Sequence, residues 1–432
     1  MQSLKVPSLS HMTQNLAVRL FKVAPFGVVF PLVALFCWAS FSLAGEEVME
    51  NGITHIKNGA TPAQGVETME LEELWRRGGE DDEEVLFGLI AQALLDDDNN
   101  IYLLDTQLSH VEVFSSTGEH LKTIGREGSG PGEFTMAFDM IFMPDGTLGV
   151  VQVFPGKIIK LDLDGNPAGE FRPLLNEAVE GGFLVLVNSL AAGGNLVLSG
   201  IDMTFNQETL TQTRTHFVKS FDIDGKPIAD YHEEERIWDF KDFTLDEPIT
   251  DYVWGRLAVG PDGQVIAAIP RNGYVLTVFN PDGSINRIIE REYKSWQRNE
   301  RARARAIAQL EGQLRQFPPG TEYKIMDIEP DIAALYIRDD GSIWVLTSRA
   351  MWDSKPGVLQ SFDVFSPEGH FLKQVDILAD GSSAADLVVF ARDDMVFQIT
   401  GFYDALVAAL GGFGTDAEEE AEPMEVICYR IR

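Results

Sequence analysis

The fold of this chain is decided by residues 94–134, which read LLDDDNNIYLLDTQLSHVEVFSSTGEHLKTIGREGSGPGEF. Short runs rich in Ile, Val, Leu, Tyr and Phe alternate here with turns at 96–100 and 117–118. Branched and aromatic residues favour pleated strands, whereas Asp, Asn and Gly favour tight turns. The stretch therefore predicts a small antiparallel sheet with short connections.

The same order of turn and strand recurs along the rest of the chain. Further turns of the two kinds alternate at 144–146, 164–165, 193–195, 224–225, 261–263, 282–283, 339–341, 368–369 and 392–394. This makes six similar units of about four strands, and such periodicity is typical of a propeller, in which each sheet buries its faces against its neighbours. A single β-sandwich would not repeat its turns in this order.

The sixth unit lacks one strand, and the beginning of the repeat region can supply it. Residues 66–75, VETMELEELW, precede the inner strand of the first unit at 87–95, FGLIAQALL. Closure of this kind pairs edges that would otherwise be exposed. The sequence thus predicts an all-β, six-bladed β-propeller over 66–432, closed by the N-terminal strand in the last blade.

The stretch 94–134 resembles an NHL repeat, and later units look like weaker copies. Residues 66–432 as a whole resemble the secreted bacterial six-bladed propellers of the NHL and TolB-like type. The resemblance implies the fold rather than the function, because such propellers host many activities. Some NHL-type propellers are metal-dependent lyases or hydrolases with histidines around the axis, so the resemblance also implies an enzyme alternative.

The amino-terminal part predicts export. Residues 1–44 contain three basic residues and no acidic one, and from 23 to 44 they are apolar or small. A basic start, an apolar core and a small-residue cleavage site are typical of a signal peptide. The alternative is an uncleaved membrane anchor, because the apolar run approaches the length that spans a bilayer. Residues 45–65 are predicted to be a linker, and no later segment is apolar enough to span a membrane.

The charge narrows the range of partners. The chain has 34 Lys and Arg against 67 Asp and Glu, a formal net charge of −33. Nucleic acids and anionic lipid surfaces need basic surfaces, so neither is a predicted partner. After removal of residues 1–44 the chain keeps one cysteine, Cys428, and forms no internal disulfide. The oligomeric state stays open.

Strand alternation predicts that all the short turns lie on one side of the ring. The long connections then lie on the opposite side, which we call the loop face, at 76–86, 201–214, 230–250, 293–325, 348–357 and 401–423. Long insertions on one side of a rigid scaffold are typical of a binding surface. The alternative is that they only cap the channel.

The insertion at 293–325 is predicted to contain a helix over 294–316. This segment carries six basic residues and two acidic ones. Ile307, Leu310, Leu314 and Phe317 form an apolar stripe at helical spacing. The helix is predicted either to lie on the propeller with its arginines paired to acidic loops, or to be a basic lid over an anionic ligand or acidic peptide.

Polar residues at or just beyond the ends of strands on the loop face are the candidate ligand contacts. Arginine can bind a carboxylate through two parallel hydrogen bonds, or can equally pair with a neighbouring acid. The candidates are Asp105, Arg126, Gln152, Asp202, Arg271, Arg349 and Trp352. No catalytic residue and no metal ligand is predicted, because no GxSxG, Walker or HExxH motif occurs.

The leading hypothesis is an exported, non-enzymatic binding module that contacts a peptide, a glycan or a partner protein through the loop face. The alternative is an NHL-type lyase or hydrolase with a site at the central axis. A third possibility is a purely structural component of an envelope complex. No cofactor is predicted from the residues, although the enzyme alternative leaves room for a divalent metal in the central channel. The histidines after residue 44, which would serve such a site, are His55, His110, His120, His216, His232 and His370.

Overall fold

The structure of the protein is a computed structural model that describes residues 45–175, 182–315, 317, 319–392, 394–409 and 423–432. The predicted signal peptide at 1–44 lies outside these residues. The described part is mostly β-strand, with three sheets of four strands and one each of two, six and eight strands. We divide the four-, six- and eight-stranded sheets into six sets of four strands, which we call blades 1 to 6. Within this part, no helix is long and apolar enough to span a membrane.

Strands and helices are numbered in chain order. Blade 1 contains β4 (Ile90–Leu95), β5 (Ile101–Asp105), β6 (His110–Phe114) and β7 (His120–Ile124). Blade 2 contains β8 (Ala137–Phe142), β9 (Leu148–Gln152), β10 (Lys157–Leu161) and β11 (Pro167–Phe171). Blade 3 contains β12 (Gly182–Ala192), β13 (Asn195–Asn206), β14 (Thr211–Phe221) and β15 (Pro227–Asp239). Blade 4 contains β17 (Leu257–Val259), β18 (Val265–Ala267), β19 (Val275–Phe279) and β20 (Ile285–Arg291). Blade 5 contains β22 (Ile332–Ile337), β23 (Ile343–Thr347), β24 (Val358–Phe365) and β25 (Phe371–Leu378). Blade 6 contains β26 (Leu387–Phe390), β27 (Met395–Ile399), β28 (Glu425–Ile431) and β3 (Val66–Gly78). The other elements are β1 (Glu46–Glu50), β2 (Ile53–Asn58), β16 (Thr244–Asp246), β21 (Glu322–Lys324), α1 (Glu247–Thr250), α2 (Glu300–Leu314), α3 (Ser348–Trp352) and α4 (Phe402–Ala409).

Three of the short turns form because an aspartate at their start accepts hydrogen bonds from the turn backbone. In the first turn of blade 1, the Asp96 carboxylate accepts from the N–H groups of Asp98 at 2.9 Å and Asn100 at 2.8 Å. The Asp162 and Asp222 side chains do the same in blades 2 and 3. This local bonding explains why the repeated turn sequences produce repeated strand pairs.

Each blade packs its apolar face on the next blade, which is the packing of a propeller-type fold. Blade 1 and blade 2, for example, share a buried cluster that includes Leu104 and Val150. Blade 6 and blade 1 share another, in which Phe397 and Val426 pack with Ile101. Burial of this kind stabilises the fold by roughly 25 cal/mol per Å² of apolar surface removed from water.

The strand β3 pairs with two partners. Its first part, from Val66 to Glu70, runs parallel to β25, and its second part, from Leu71 to Gly78, runs antiparallel to β28. The pairing predicted between the amino-terminal strand and the last strands of the chain is therefore observed. Because β3 also bonds to β25, blades 5 and 6 form one sheet of eight strands.

The prediction of a linker at 45–65 was wrong in its first part. Residues 46–58 form a hairpin of β1 and β2, whose turn at Asn51 and Gly52 has φ angles of 50° and 82°. Asn-Gly with two positive φ angles makes the two-residue turn that matches strand twist. The strand β2 then pairs in parallel with β20, so the hairpin extends blade 4 at its outer edge.

Two of the predicted loop insertions are extensions of strands. Residues 201–214 lie mostly in the long β13–β14 hairpin, and residues 230–239 complete β15, because these three strands have 11 to 13 residues. Alternation of Thr, Arg, Gln and apolar residues suits a strand with one partly covered face. The predicted irregular loops at 201–214 and 230–239 were therefore wrong.

The predicted helix at 294–316 is present but shorter. It is α2, and it begins after Asn299, whose side chain accepts a hydrogen bond from the Ala302 N–H at 2.8 Å. Such a cap fixes the first helical residue. Leu310 and its apolar neighbours pack against Trp238 and Leu245, so α2 lies on the extended part of blade 3. In the insertion at 401–423, α4 is described, whereas residues 410–422 lie outside the described part of the chain.

Candidate functional site

Asp105 ends β5 on the loop face and is fully buried. Its carboxylate accepts hydrogen bonds from the backbone N–H groups of Gly88 at 2.7 Å, Leu89 at 3.1 Å and Leu108 at 2.9 Å. These bonds hold the segment that leads into blade 1 against the β5–β6 loop. The Asp105 carboxylate is therefore taken up by bonds within the chain, and a ligand contact at this position stays a prediction.

Gln152 occupies the corresponding position at the end of β9 in blade 2, and is 5% exposed. Its side chain accepts from the Thr135 N–H at 3.3 Å and donates to the Pro155 carbonyl at 3.4 Å. Buried polar groups need such partners, because an unsatisfied one costs about 1–3 kcal/mol. Gln152 is thus a second predicted contact that the structure assigns to holding its own blade together.

Arg271 belongs to a buried ion-pair network around Glu247. The Glu247 carboxylate accepts from Arg271 at 2.8 Å, from Arg298 at 2.6 and 2.7 Å and from the Met326 N–H at 2.8 Å. Burial acts to raise the pKa of Glu247, but the hydrogen bonds from Arg298 and Met326 hold it below its ordinary value. These arginines pair with acids and fasten the 293–325 insertion, as one of the two alternatives for this insertion predicted.

Two predicted contacts are arginines that lie at the surface. Arg126 is exposed and donates to Glu133 at 2.7 Å. Arg349 donates to the Lys294 carbonyl at 2.8 Å, and its guanidinium lies 5.7 Å from the centre of the Tyr293 ring. Both arginines already have partners within the chain, and a ligand contact at either stays a prediction.

The remaining two candidates differ in their surroundings. Trp352 stacks almost parallel on Trp296, with ring centres 6.3 Å apart, and Arg305 lies 4.6 Å above the Trp352 ring. Asp202 is half-buried on β13 opposite Thr215, and burial raises the pKa of its carboxyl. Trp352 lies three residues after Arg349 on α3, whereas Asp202 lies apart from both on β13, and a ligand contact at either Trp352 or Asp202 stays a prediction.

A cleft of about 2030 Å³ lies between α2, α4 and blades 6 and 1. Arg305 of α2 reaches into its wall, where it donates to the Ala384 carbonyl and, at 2.7 Å, to Asp404 of α4. Arg301 lies 3.8 Å from the same carboxylate. The cleft is lined by apolar residues such as Phe87 and by charged residues on its rims.

None of the seven predicted contacts lines this cleft, and sequence reasoning missed it. Two signals were present in the sequence. Arg301 and Arg305 are four residues apart and therefore lie on one face of the predicted helix. The insertion at 401–423 was also predicted on the correct side of the ring. What the sequence lacked was the information that α2 and α4 approach one another.

The histidines do not form a central site. His110 and His120 share Glu112, at 3.0 and 2.6 Å, and lie on β6 and β7. His216 and His232 lie on β14 and β15, and each packs its ring on Tyr252. These are third or outer strands of their blades rather than the innermost ones.

Burial of His216 has an electrostatic consequence. Its loss of hydration, together with the nearby Arg236, lowers the pKa of His216 to about 4. The ring is therefore held in its neutral form well below the pH at which an ordinary histidine gains a proton. In the ranges that the structure describes, no group of three His, Cys, Asp or Glu side chains is arranged to hold a metal ion.

Comparison with protein families supports the fold. Residues 80–176 match a family model, DUF5128, whose description is a 6-bladed beta-propeller. The matched range covers blades 1 and 2, where the NHL-like stretch lies. The resemblance to six-bladed propellers predicted from the repeats is confirmed by this match.

Several solved structures are similar at low identity. A protein of Bacteroides fragilis described as exported is 13% identical, with coverage of 85% of this chain and 99% of its own, and a TM-score of 0.46. A streptogramin B lyase is 9% identical, with coverage of 84% and 100% and a TM-score of 0.41. A gluconolactonase of Xanthomonas campestris is 12% identical, with coverage of 80% and 87% and a TM-score of 0.42. None of the curated proteins matches this sequence.

Proposed function

We propose that this chain is an exported, closed six-bladed propeller that binds a polypeptide in the cleft on its loop face. The observation that carries the proposal is the size of that cleft, about 2030 Å³. Pockets for small ligands have volumes of roughly 300–1,000 Å³ and enclose most of the ligand. A cleft larger than this suits a chain segment better than a small metabolite.

The lining supports a polypeptide over a glycan. Apolar side chains, such as Phe87 and Met136, form part of the surface, while Arg301, Glu73 and Asp404 bring charges of both signs. A polypeptide offers apolar, acidic and basic side chains that match such a mixture, whereas a neutral glycan offers no charge to pair with them.

Closure of the ring is supported by two contacts. The strand β3 bonds to β28, so that both ends of the propeller region lie in one blade. Blades 6 and 1 share an apolar cluster that includes Phe397 and Ile101. A closed ring keeps the walls of the cleft at a fixed distance, because blades 6 and 1 are then held from both sides.

The test uses the purified exported protein and a random library of displayed peptides of about 12 residues. Enrichment of related peptides is expected, together with its loss in Ala408→Trp, which puts a large ring on an exposed position of α4 that lines the cleft. The matched control is Ala60→Trp, at an exposed position outside the cleft, which should enrich the same peptides.

Two results would contradict the proposal. One is the absence of enrichment with the parent protein, and the other is an equal loss in Ala408→Trp and Ala60→Trp. A separate measurement addresses the enzyme alternative of an axial metal site. Metal analysis after dialysis that found a stoichiometric divalent ion would favour that alternative over a pure binding module.

A further inference from the structure

Exposed apolar side chains are concentrated on one part of the loop face. Phe205, Leu210 and Ile237 lie on the long strand extensions of blade 3 and the turn between them, and five others, between 39% and 74% exposed, come from the connections and strand starts of blades 1 to 3. We call these five the apolar arc: Leu86, Leu108, Met136, Phe154 and Phe183. Single exposed apolar residues are ordinary, but a group on one face marks a surface that a partner covers.

Contacts show that members of the arc are neighbours. The rings of Phe154 and Phe183 lie 6.0 Å apart across the boundary between blades 2 and 3. The backbone N–H of Val153 donates to the Met136 carbonyl at 3.0 Å, which places Met136 beside Phe154. Met136 also lines the cleft, so the arc runs into the rim of the site proposed above.

The other half of the loop face has a different surface. The connections of blades 4 to 6 carry all four described helices, and none of their described large hydrophobic side chains is exposed. The arc therefore does not reflect a general excess of apolar residues on this side of the ring. It is confined to the part of the face that none of the described helices covers.

The charges next to the arc indicate the chemistry of its partner. The connections 79–89 and 125–136 hold seven carboxylates and one arginine, while the loops 106–109 and 153–156 are uncharged. In the first connection, Glu80, Asp81, Glu83 and Glu84 are exposed immediately before Leu86. A partner that buries Leu86 must bring its own surface close to these acids, so a cationic partner is favoured.

We propose that the apolar arc binds a cationic, amphipathic segment of a partner polypeptide, with apolar side chains on Phe154 and Phe183 and basic ones beside 80–84. This inference rests on the proposed function, because the arc extends the cleft and names the class of peptide. A second copy of this chain is disfavoured as the occupant, since it would bring a net charge of −33 and the same acidic segment. An anionic lipid surface is disfavoured for the same reason.

The experiment uses three labelled synthetic peptides and fluorescence anisotropy with the purified exported protein. One peptide alternates Lys and Leu, the second replaces each Lys by Glu, and the third replaces each Leu by Ser. The Lys–Leu peptide is expected to bind at least about tenfold more tightly than either of the others. Its affinity should also fall as salt rises from about 50 to about 500 mM, since screening weakens exposed charges.

Variants locate the binding. Leu86→Ser with Phe183→Ser should weaken the Lys–Leu peptide about tenfold, because both changes remove apolar surface from the arc. Glu80→Gln with Glu84→Gln should weaken it severalfold and reduce the salt dependence. The matched control is Ile228→Ser with Ile285→Ser, at exposed positions beside the short turns, and it should bind as the parent does.

Unchanged binding in the arc variant, or equal weakening in the control, overturns the inference. So does a dimer in sedimentation that the arc variant dissociates, because the occupant is then a second copy. Pelleting with neutral phosphatidylcholine vesicles that the arc variant abolishes overturns it as well. If Ala408→Trp abolishes peptide binding and the arc variant does not, the proposed function stands and this inference fails. The reverse result supports the arc and contradicts the cleft.

Discussion

The two halves of the loop face are built in opposite ways. Over blades 1 and 2 the loops inside the blades, 106–109 and 153–156, are short and leave apolar side chains uncovered. Over blades 4 to 6 long insertions carry helices, and their charged side chains form ion pairs with one another, as around Glu247. The comparison teaches that a long insertion is a poor guide to free binding groups, because it must satisfy its own polar atoms first.

The largest expected effect tests whether the insertion half depends on its buried charges. Glu247→Ala removes the shared acceptor of Arg271 and Arg298 and leaves two buried guanidinium groups without it. Breaking a buried ion pair from one side costs about 3–5 kcal/mol. We therefore expect the free energy of unfolding, measured by urea denaturation followed by circular dichroism, to fall by that amount.

The matched control for Glu247→Ala is Asp327→Ala, which removes the partner of Arg303 at the surface. An exposed pair contributes about 0–1 kcal/mol, so this variant should unfold almost as the parent does. Equal losses in the two variants would show that the Glu247 network does not hold the insertion.

The next effect concerns pH and His216 of blade 3, which lies between the two regions compared. Because the pKa of His216 is about 4 in the folded state, its imidazole gains a proton between pH 6.5 and 4 in the unfolded chain but stays neutral in the folded chain. Stability should therefore fall as pH decreases through this window, by at most about 3 kcal/mol. His216→Phe should flatten this slope in denaturation midpoints measured from pH 7.5 to 4.

The control for His216→Phe is the same change at His120, which is exposed and lies on blade 1. It should leave the slope between pH 6.5 and 4 as steep as in the parent. A parent slope that persists in His216→Phe would mean that other groups produce the acid sensitivity.

A smaller effect tests whether the hydrogen bonds of Asp105 stabilise blade 1, in the half without described helices. Asp105→Ala leaves the N–H groups of Gly88, Leu89 and Leu108 without their acceptor, which is expected to cost about 2 kcal/mol in thermal or chemical unfolding. Asp105→Asn keeps one acceptor oxygen and should lose less. Asp97→Ala, on an exposed side chain of the same blade, should lose almost nothing. An alanine variant as stable as the parent would remove the structural role assigned to Asp105.

The smallest expected effect sharpens the comparison most directly. Leu86→Ser with Phe183→Ser changes only exposed side chains, and such changes usually alter stability by less than about 0.5 kcal/mol each. The midpoint of thermal unfolding should therefore stay close to that of the parent. A loss of about 2 kcal/mol or more would place these side chains in the core, and the arc would not be a free surface.

The repeated fold was predictable because its signals are local. The side chains of Asp96, Asp162 and Asp222 accept hydrogen bonds from backbone groups within four residues, so the sequence around each turn contains all the residues that form it. The side of the ring on which each connection lies then follows from strand alternation alone. The hairpin at 46–58 was missed although its Asn-Gly turn is local. Its first strand, β1, is rich in Glu and lacks an apolar pattern, and its second strand, β2, is held by β20, which comes much later in the chain.

The candidate site was harder because its contacts are distant in sequence. Arg271 and Glu247 are 24 residues apart, and Arg298 and Glu247 are 51 apart. No pattern in the sequence shows that these groups satisfy one another, so Arg271 had the appearance of a free cation. Asp105 was placed correctly at the end of its strand, but the burial that makes it structural depends on packing rather than on residue type.

The double pairing of β3 has a consequence for synthesis of the chain. This strand is synthesised before β28, which follows it by about 350 residues, so one edge of β3 has no partner until those residues are made. At about 5–20 residues per second this delay is on the order of tens of seconds. The glutamates of β3, such as Glu70 and Glu72, keep the waiting edge from pairing with other nascent chains. Purified chains truncated before residue 425 should accordingly be cut by protease within β3, and chains that include β28 should resist.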